Sequence, residues 1–449
     1  MGRKVLTVLL GVAATLTAVA IARPHAKPAS AAPVQVKSES EIRSLDIEFY
    51  ERRIAEDSLS AADRSRLALL YPQRARETGS YPDYERAAEL AQRSLALRES
   101  HNEETYVLLT SALLAKHAFV DALSTARRLD ATDTTNASHT ALLAEVELEV
   151  GDYAAAERHF TAVAREADKP SIAARLARWY EVTGRVRKAQ AILQQRARRL
   201  RASSDIPREQ VAWFNYRLGE LYLRTGDNVA ADSAFHRALA VLPTDYRALG
   251  GLARLSAVNH DWAAAIDYGS RAISVQLDPA TLGTMSDAYA ALGDTAQAQS
   301  FADAMATAAL SQPGAIHRAW GLFLLDHDRD VPRVLREAKA DIVKRRDVYG
   351  YDLLAWAYYR AGRMNDAREA ATAALSQGTE DATLLYHAGM ISVAAGDSAS
   401  GRALLAKALL LNPTFSATQA TLARRTFESL SARARMVSYV ITSRGKAGV

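Results

Sequence analysis

The sequence predicts an all-α protein, a right-handed α-solenoid of about ten antiparallel helix pairs. Three observations indicate this fold: two separate residue registers recur about every 34 positions, and apolar residues keep helical spacing almost throughout the chain. Because a one-dimensional stack lengthens without enlarging its core, 449 residues fit a single elongated array rather than several compact domains.

The first register is the residue that closes the first helix of each pair. It is usually glycine, as suits a left-handed helix C-cap. Its members are His117, Gly151, Gly184, Gly226, His260, Gly293, Asp328, Gly362 and Gly396. Their separations are 34, 33, 42, 34, 33, 35, 34 and 34, so one repeat carries an insertion of 42 − 34 = 8 residues.

The second register is a small residue five positions later, on the second helix of each pair. Its members are Ala122, Ala156, Ala189, Ala231, Ala265, Ala298, Ala367 and, at the same phase, Gly401. Small residues midway along the first helices, such as Gly219 and Gly389, oppose this register and allow the two helices to approach closely. Larger apolar residues three or four positions apart fill the remaining space on the same helical stripe.

One repeat copy carries a family resemblance. Its diagnostic residues are Leu218, Gly219, Tyr222, Ala231, Phe235, Ala238 and Pro243. This spacing resembles the tetratricopeptide repeat and matches its pattern at seven positions, with Asn215 standing where the pattern has tryptophan. The resemblance implies helical hairpins stacked into a superhelix, with ligands on a concave face that the first helices line.

The repeat register divides the chain into segments. Helix pairs are expected to start near residues 61, 103, 137, 170, 212, 246, 280, 314, 348 and 382, with the first and eighth pairs degenerate. We expect a leading helix at 41–57, the solenoid at 58–415, a capping helix at 416–432 and a tail at 433–449. A capping helix is needed because the last repeat would otherwise expose its apolar face.

The N-terminus predicts export. Arg3 and Lys4 precede an apolar stretch from Val5 to Ala22, and small residues suited to signal-peptidase cleavage follow. Residues 1–31 are therefore a cleaved signal peptide or, since 18 residues reach the lower limit for a bilayer-spanning helix, an uncleaved anchor. Residues 32–40 are expected to be a flexible linker. The chain has no cysteine, which excludes disulfides and a lipoprotein anchor.

The charge balance argues against nucleic acid as a partner. The net charge is +5, which becomes +3 without Arg3 and Lys4 and +1 after cleavage beyond Ala31, a balance unsuited to general polyanion binding. A local excess of positive charge lies beside the eight-residue insertion, at Arg196, Arg198, Arg199 and Arg201. We interpret it as a solvated helix end that complements the helix dipole, with an acidic partner or anionic lipid as the alternative.

No motif indicates an enzyme or a cofactor site. The sequence lacks a phosphate-binding loop, a nucleophile elbow and a His-Glu-x-x-His motif. Asp326, Asp328, Asp330 and Glu337 match a calcium-loop spacing, but Val331 occupies the place that requires a sharp turn. We interpret these acids as helix-capping residues. His117 and His260 occupy the loop phase of glycine and are expected to be structural or exposed rather than metal ligands. No cofactor or metal is expected.

The resemblance implies that partner-binding residues lie at the second, fifth, ninth and twelfth positions of the first helices. Two candidate clusters follow on this chain. The first contains Trp213, Tyr216, Glu220, Arg247 and Arg254, and the second contains Tyr349, Asp352, Trp356, Tyr359 and Tyr386. Aromatic and arginine side chains combine large contact area with a polar group, as binding hot spots do. The alternative is that Trp356 and Tyr359 only pack between neighbouring repeats.

Together these features predict a non-catalytic scaffold of the cell envelope that binds protein or peptide segments on its concave face. The leading alternative is an accessory subunit of an envelope assembly or polysaccharide-export complex. An enzyme whose site carries no recognisable motif is a further hypothesis.

Overall fold

The structure, a computed structural model, describes residues 37–201, 206–311 and 317–446. Every regular element in these ranges is helical, which confirms the predicted all-α class. The α-helices, numbered in chain order, are α1 Glu39–Glu56, α2 Ala61–Thr78, α3 Tyr81–Leu97, α4 Glu103–Ala115, α5 Phe119–Thr132, α6 Ala137–Val150, α7 Tyr153–Val163, α8 Pro170–Val182, α9 Val186–Arg201, α10 Arg208–Arg224, α11 Asn228–Val241, α12 Tyr246–Val258, α13 Trp262–Ile273, α14 Pro279–Ala291, α15 Thr295–Leu310, α16 Arg318–Asp326, α17 Val331–Lys344, α18 Val348–Arg360, α19 Met364–Ala374, α20 Ala382–Ala394, α21 Ser398–Leu411 and α22 Gln419–Lys446.

Helices α2 to α21 form the ten predicted pairs, and most starts agree with the expected residues. Two starts differ by four residues. The fifth pair begins at Arg208 rather than near 212, because Pro207 directly precedes it in a non-helical conformation. The eighth pair begins at Arg318 rather than near 314, and α16 spans only nine residues, as suits the degenerate repeat.

The loop inside each pair is set by one residue with a left-handed backbone. All nine members of the first register have positive φ, from 56° at Asp328 to 88° at Gly396. Aspartates then commonly start the second helix; Asp227, for example, accepts a hydrogen bond from the backbone N–H of Ala230 at 3.0 Å. Asp330 departs from the prediction, since it precedes α17 at φ 43° and its side chain makes no capping hydrogen bond. Instead, Asp328 pairs with Arg360.

This backbone conformation gives a first test. The variant His260→Gly is expected to stabilise the chain by about 0.5–1 kcal/mol, because a left-handed backbone costs a non-glycine residue about 1–2 kcal/mol and glycine's own entropy offsets part of that gain. Urea unfolding measures the change. The neighbouring Asn259 has φ −91°, so Asn259→Gly should destabilise the chain. Equal effects of both variants would contradict the explanation.

Small residues set the distance between paired helices, as the sequence predicts. The ring of Phe235 lies between two glycines on adjacent first helices, and a Cβ atom at Gly219 or Gly251 would approach it to 2.6 or 2.5 Å. Phe235 is fully buried, as are Ala231 and Ala265 of the second register. A larger residue at either glycine would push the helices apart, so the small residues determine the close packing.

The array winds back on itself. The loop inside a given pair contacts the loop that follows the fifth pair after it, so that the third pair, for example, meets the end of the eighth. The backbone N–H of Arg346 donates to Val150 O at 2.9 Å, and the hydroxyl of Thr379 donates to Val182 O at 2.5 Å. Asn412 donates its amide N–H to Leu223 O at 2.9 Å. The first five pairs therefore form one turn of a superhelix, and the second five stack on it.

One helix stands at each end of the array. Helix α1 begins at Glu39, two residues before the expected leading helix, and buries Ile47. Helix α22 begins at Gln419 and continues to Lys446, well past residue 432, where the sequence suggested that the capping helix ends. Within the described ranges, no helix combines the length and apolar character needed to cross a bilayer. The predicted signal or anchor at 1–31 and linker residues 32–36 lie outside them.

Candidate partner-binding site

The first helices line the inner face of both turns, and the first candidate cluster lies on that face. Glu220 of α10 forms an ion pair with Arg254 of α12. Arg247 contacts Glu209 at 2.9 Å and Asp245 at 2.7 Å, with its guanidinium 5.7 Å from the centre of the Tyr216 ring. These contacts join consecutive pairs, so most polar groups of the cluster already have partners within the chain.

The second cluster is mostly interior. Asp352, Trp356 and Tyr386 are only 1–2% exposed. Trp356 donates its indole N–H to Asp326 at 2.8 Å, and its ring stacks on Tyr359 at 4.7 Å between ring centres. These three residues are packed between repeats, and for Trp356 this is the arrangement of the alternative interpretation, whereas Tyr359 remains half-buried.

Asp352 anchors a buried polar network inside the second turn. It lies 2.8 Å from Nδ1 of His387 and 2.5 Å from the guanidinium of Arg318. Burial alone would raise the pKa of Asp352, but the neighbouring His387 and Arg318 overcome it, and the pKa is lowered. The carboxylate is therefore held ionised, and its role is to connect three first helices.

Tyr349 joins the two turns. Three guanidinium groups surround its ring, those of Arg178, Arg224 and Arg318, at 5.2, 5.9 and 5.0 Å from the ring centre. Arg224 also donates to the Tyr349 hydroxyl at 3.0 Å. Because Arg178 and Arg224 belong to the first turn, Tyr349 fixes the second turn against it through cation–π contacts.

Glu181 lies at the centre of the same contact and was not among the sequence-predicted residues. Its side chain is 4% exposed and pairs with Arg178 at 3.3 Å, with Arg217 at 2.8 Å and with Arg224. Burial acts to raise the pKa of Glu181, but the three guanidinium groups lower it to about 2. Glu181 is the twelfth residue of α8 and Arg178 the ninth, so the positions used for the other helices would have found both.

Two cavities on the inner face are lined by described residues. The smaller, about 350 Å³, lies mostly within the second turn and is lined by members of both predicted clusters, namely Glu220, Arg254 and Tyr349. The structure therefore brings together residues separated by about 130 positions. Within the lining, Glu220 pairs with Arg254 and Arg224 lies 3.7 Å from Asp381. The cavity therefore presents both signs of charge.

The larger cavity, about 660 Å³, lies within the first turn and contains Trp213. Pro170, Ala174, Pro207 and Phe214 form its apolar wall, and the Trp213 ring meets Phe214 edge to face at 4.9 Å. Trp213 is only half-buried. Of the predicted residues, it alone combines a partly exposed indole with an adjacent apolar cavity, which is the arrangement expected of a binding anchor.

The described ranges contain no group of three or more histidine, aspartate or glutamate side chains arranged to hold a metal ion. Asp326 and Asp328 of the calcium-like spacing face different partners, Trp356 and Arg360. The polar side chains of the inner face thus contact one another, both between consecutive pairs and between the two turns.

Fold and site together define a solenoid of tetratricopeptide-type helical hairpins with a polar, largely self-satisfied inner face. No protein-family model matches the sequence, and no curated protein matches it. The chain is similar to the APC/C hetero-tetramer Cut9–Hcn1 at 12% identity and a TM-score of 0.34, over 87% of this chain and 93% of that one. It is also similar to a tetratricopeptide repeat protein from Parabacteroides merdae at 16% identity and a TM-score of 0.33, over 57% and 96% of the two chains.

Proposed function

We propose that this protein is a non-catalytic scaffold of the cell envelope that binds a protein or peptide segment at the Trp213 cavity. The half-exposed indole beside an apolar wall of two prolines and an alanine carries the proposal. Aromatic anchors in such recesses contribute most of the binding energy at protein interfaces. The ion pairs around the cavity, such as Arg76–Glu209 and Arg175–Glu145, leave no net charge to attract nucleic acid.

The cavity also favours a particular form of ligand. Its apolar wall comes from α8, α10 and the preceding Pro207, and its charged rim comes from α1, α2, α6, α8 and α10. An extended peptide that places one apolar side chain against Trp213 could meet the paired charges of the rim with its backbone groups. The location in the envelope rests on the apolar segment Val5–Ala22 and its preceding cations.

The test compares three tryptophans in the full-length chain. Trp213→Ala is expected to weaken binding of the co-purified partner at least about tenfold with unchanged helical content, because it removes only a partly exposed anchor. Trp262 is also half-buried but lies on a second helix, away from the cavity, so Trp262→Ala should leave binding unchanged. Trp356→Ala should instead destabilise the fold by about 3–5 kcal/mol.

Pull-down from envelope fractions, followed by titration of the isolated partner, measures these effects. Unchanged affinity in Trp213→Ala would reject the site.

An accessory subunit of an envelope assembly is the second candidate. The stacking of the two turns favours it, because hydrogen bonds such as Thr379–Val182 hold the array as one body that could fix the positions of its neighbours. A stoichiometric complex recovered from envelope fractions would support this candidate, whereas weak capture of varied peptides would support the peptide-binding scaffold.

A further inference from the structure

Helix α9 carries a concentration of positive charge that forms no ion pair with the described residues. It contains no aspartate or glutamate and six cations: Arg187, Lys188, Arg196, Arg198, Arg199 and Arg201. In the described part of the chain none of the six forms an ion pair, whereas the inner-face arginines, such as Arg224 and Arg318, each contact a carboxylate. The excess is therefore local, in a chain whose overall charge is nearly balanced.

Part of this charge lines a recess. A groove of about 410 Å³ lies between α9, α10 and α11, and its lining includes Arg198, Arg201 and Arg237 with no carboxylate among the lining residues. Arg237 belongs to α11 and likewise forms no ion pair within the described ranges. A helix dipole equivalent to about half a charge accounts for cations at the end of α9 but not for a third arginine on another helix.

The groove follows from the departure of this repeat from its family pattern. Asn215 lines it and stands where the tetratricopeptide pattern has tryptophan. The asparagine is buried and donates its amide N–H to Val211 O at 3.0 Å. An asparagine is smaller than the indole of the pattern and contributes a polar group to the lining of the groove.

We propose that this groove binds a phosphate-type oxyanion, the phosphomonoester group of a soluble molecule or of a lipid. Guanidinium groups match the geometry of phosphate with paired N–H donors, and a dianion balances several of them. Neutral donors complete the site: Tyr222 accepts from Gln194, which leaves its own O–H free to donate. A single recess of this size suits one compact group better than an extended acidic surface.

Calorimetry with inorganic phosphate on the full-length chain at low ionic strength tests the site. Saturable binding is expected, and the double variant Arg198→Gln/Arg201→Gln should raise the dissociation constant at least about tenfold. Arg187→Gln is the matched control, since it removes a charge from the same helix at an exposed position outside the groove. Absence of saturable binding, or an equal loss in Arg187→Gln, would overturn the proposal.

A second variant tests the recess rather than the charge. Asn215→Trp restores the family residue and should abolish phosphate binding while the helical content stays unchanged. If the tryptophan variant fails to fold, Asn215→Leu fills part of the space and should weaken binding. Phosphate affinity unchanged in a folded variant would show that the cations act only as a solvated helix face, and the site would be rejected.

Two further arms identify the source of the phosphate group. Glycerol 3-phosphate provides a soluble phosphomonoester, and vesicles containing phosphatidic acid present the same group on a membrane, with phosphatidylglycerol vesicles as the control. Binding in either arm that Arg198→Gln/Arg201→Gln removes supports the proposal and assigns the source. Failure of both arms, or binding only of polyglutamate that phosphate does not displace, would contradict it.

Discussion

Glu181→Gln is expected to destabilise the protein by about 3–5 kcal/mol, because it removes the buried carboxylate that three half-buried guanidinium groups share. Arg178, Arg217 and Arg224, whose side chains are 21–25% exposed, would then repel one another. Urea unfolding of the full-length chain measures the loss. Since the three arginines join α8 to α10 and, through Tyr349, to the second turn, we expect the superhelix to loosen there first.

An exposed ion pair provides the control. Glu89 pairs with Arg86 at 3.2 Å, and both side chains are more than half exposed, so Glu89→Gln should change stability by less than about 0.5 kcal/mol. A loss below about 1 kcal/mol in Glu181→Gln would show that water reaches the three arginines and that the inner face is open.

The same residue predicts a pH dependence. The pKa of Glu181 is about 2 in the folded chain, below its ordinary value of 4.5, so the unfolded chain binds more protons between these values. The stabilisation from Glu181 is therefore complete above pH 4.5 and is lost as the pH falls towards 2. The difference in stability between the unaltered chain and Glu181→Gln should narrow across this window, and a constant difference would contradict the assignment.

Gly184→Ala is expected to separate the two turns of the superhelix. Gly184 has φ 67°, and a Cβ atom there would collide with the backbone oxygen of Gly378. The variant combines left-handed strain of about 1–2 kcal/mol with loss of the turn-to-turn contact, including the hydrogen bond from Thr379. We expect Gly184→Ala to lower the free energy of unfolding by at least twice the amount that backbone strain alone would cause. We also expect a larger radius of gyration in small-angle scattering.

Gly362 supplies the matched control. It closes the first helix of the ninth pair at φ 75°, but nothing lies within 4 Å of the position of its Cβ atom. Gly362→Ala should therefore show the strain alone, with an unchanged radius of gyration. Equal destabilisation and equal dimensions of the two variants would mean that the stacked turns do not contact in solution.

The sequence could predict which site residues share a face but not which of them are buried. Glu220 and Arg254 meet across adjacent repeats, one period apart, and sequence spacing can place such pairs on one face. Trp356 and Tyr386 also lie on adjacent repeats, but their burial depends on how tightly that face curves. The sequence spacing carries no measure of curvature, so it could not separate a packed aromatic from an exposed one.

The contact between the two turns could not be predicted from the sequence for a related reason. Glu181 and Tyr349 become neighbours of the same arginine although 168 residues separate them. The repeat register could show that Glu181 and Tyr349 lie on the same face of their first helices. It could not show that the ninth pair, which contains Tyr349, would stack on the fourth pair, which contains Glu181. The groove beside Asn215 could be predicted only in part. The missing tryptophan and the excess of arginine are visible in the sequence, but only the packing of α9, α10 and α11 brings them together at one groove.

The amino-acid sequence by itself determined the repeat unit: ten helix pairs, the small residues at their contacts and the left-handed residue between their helices. These features depend on interactions within about 35 residues, where helical periodicity and backbone sterics act directly. Only the tertiary structure decided the winding of the array, the burial of Glu181 and Asp352, and the two inner cavities. The physical reason is that winding sums small rotations between successive pairs, and no single residue encodes that sum.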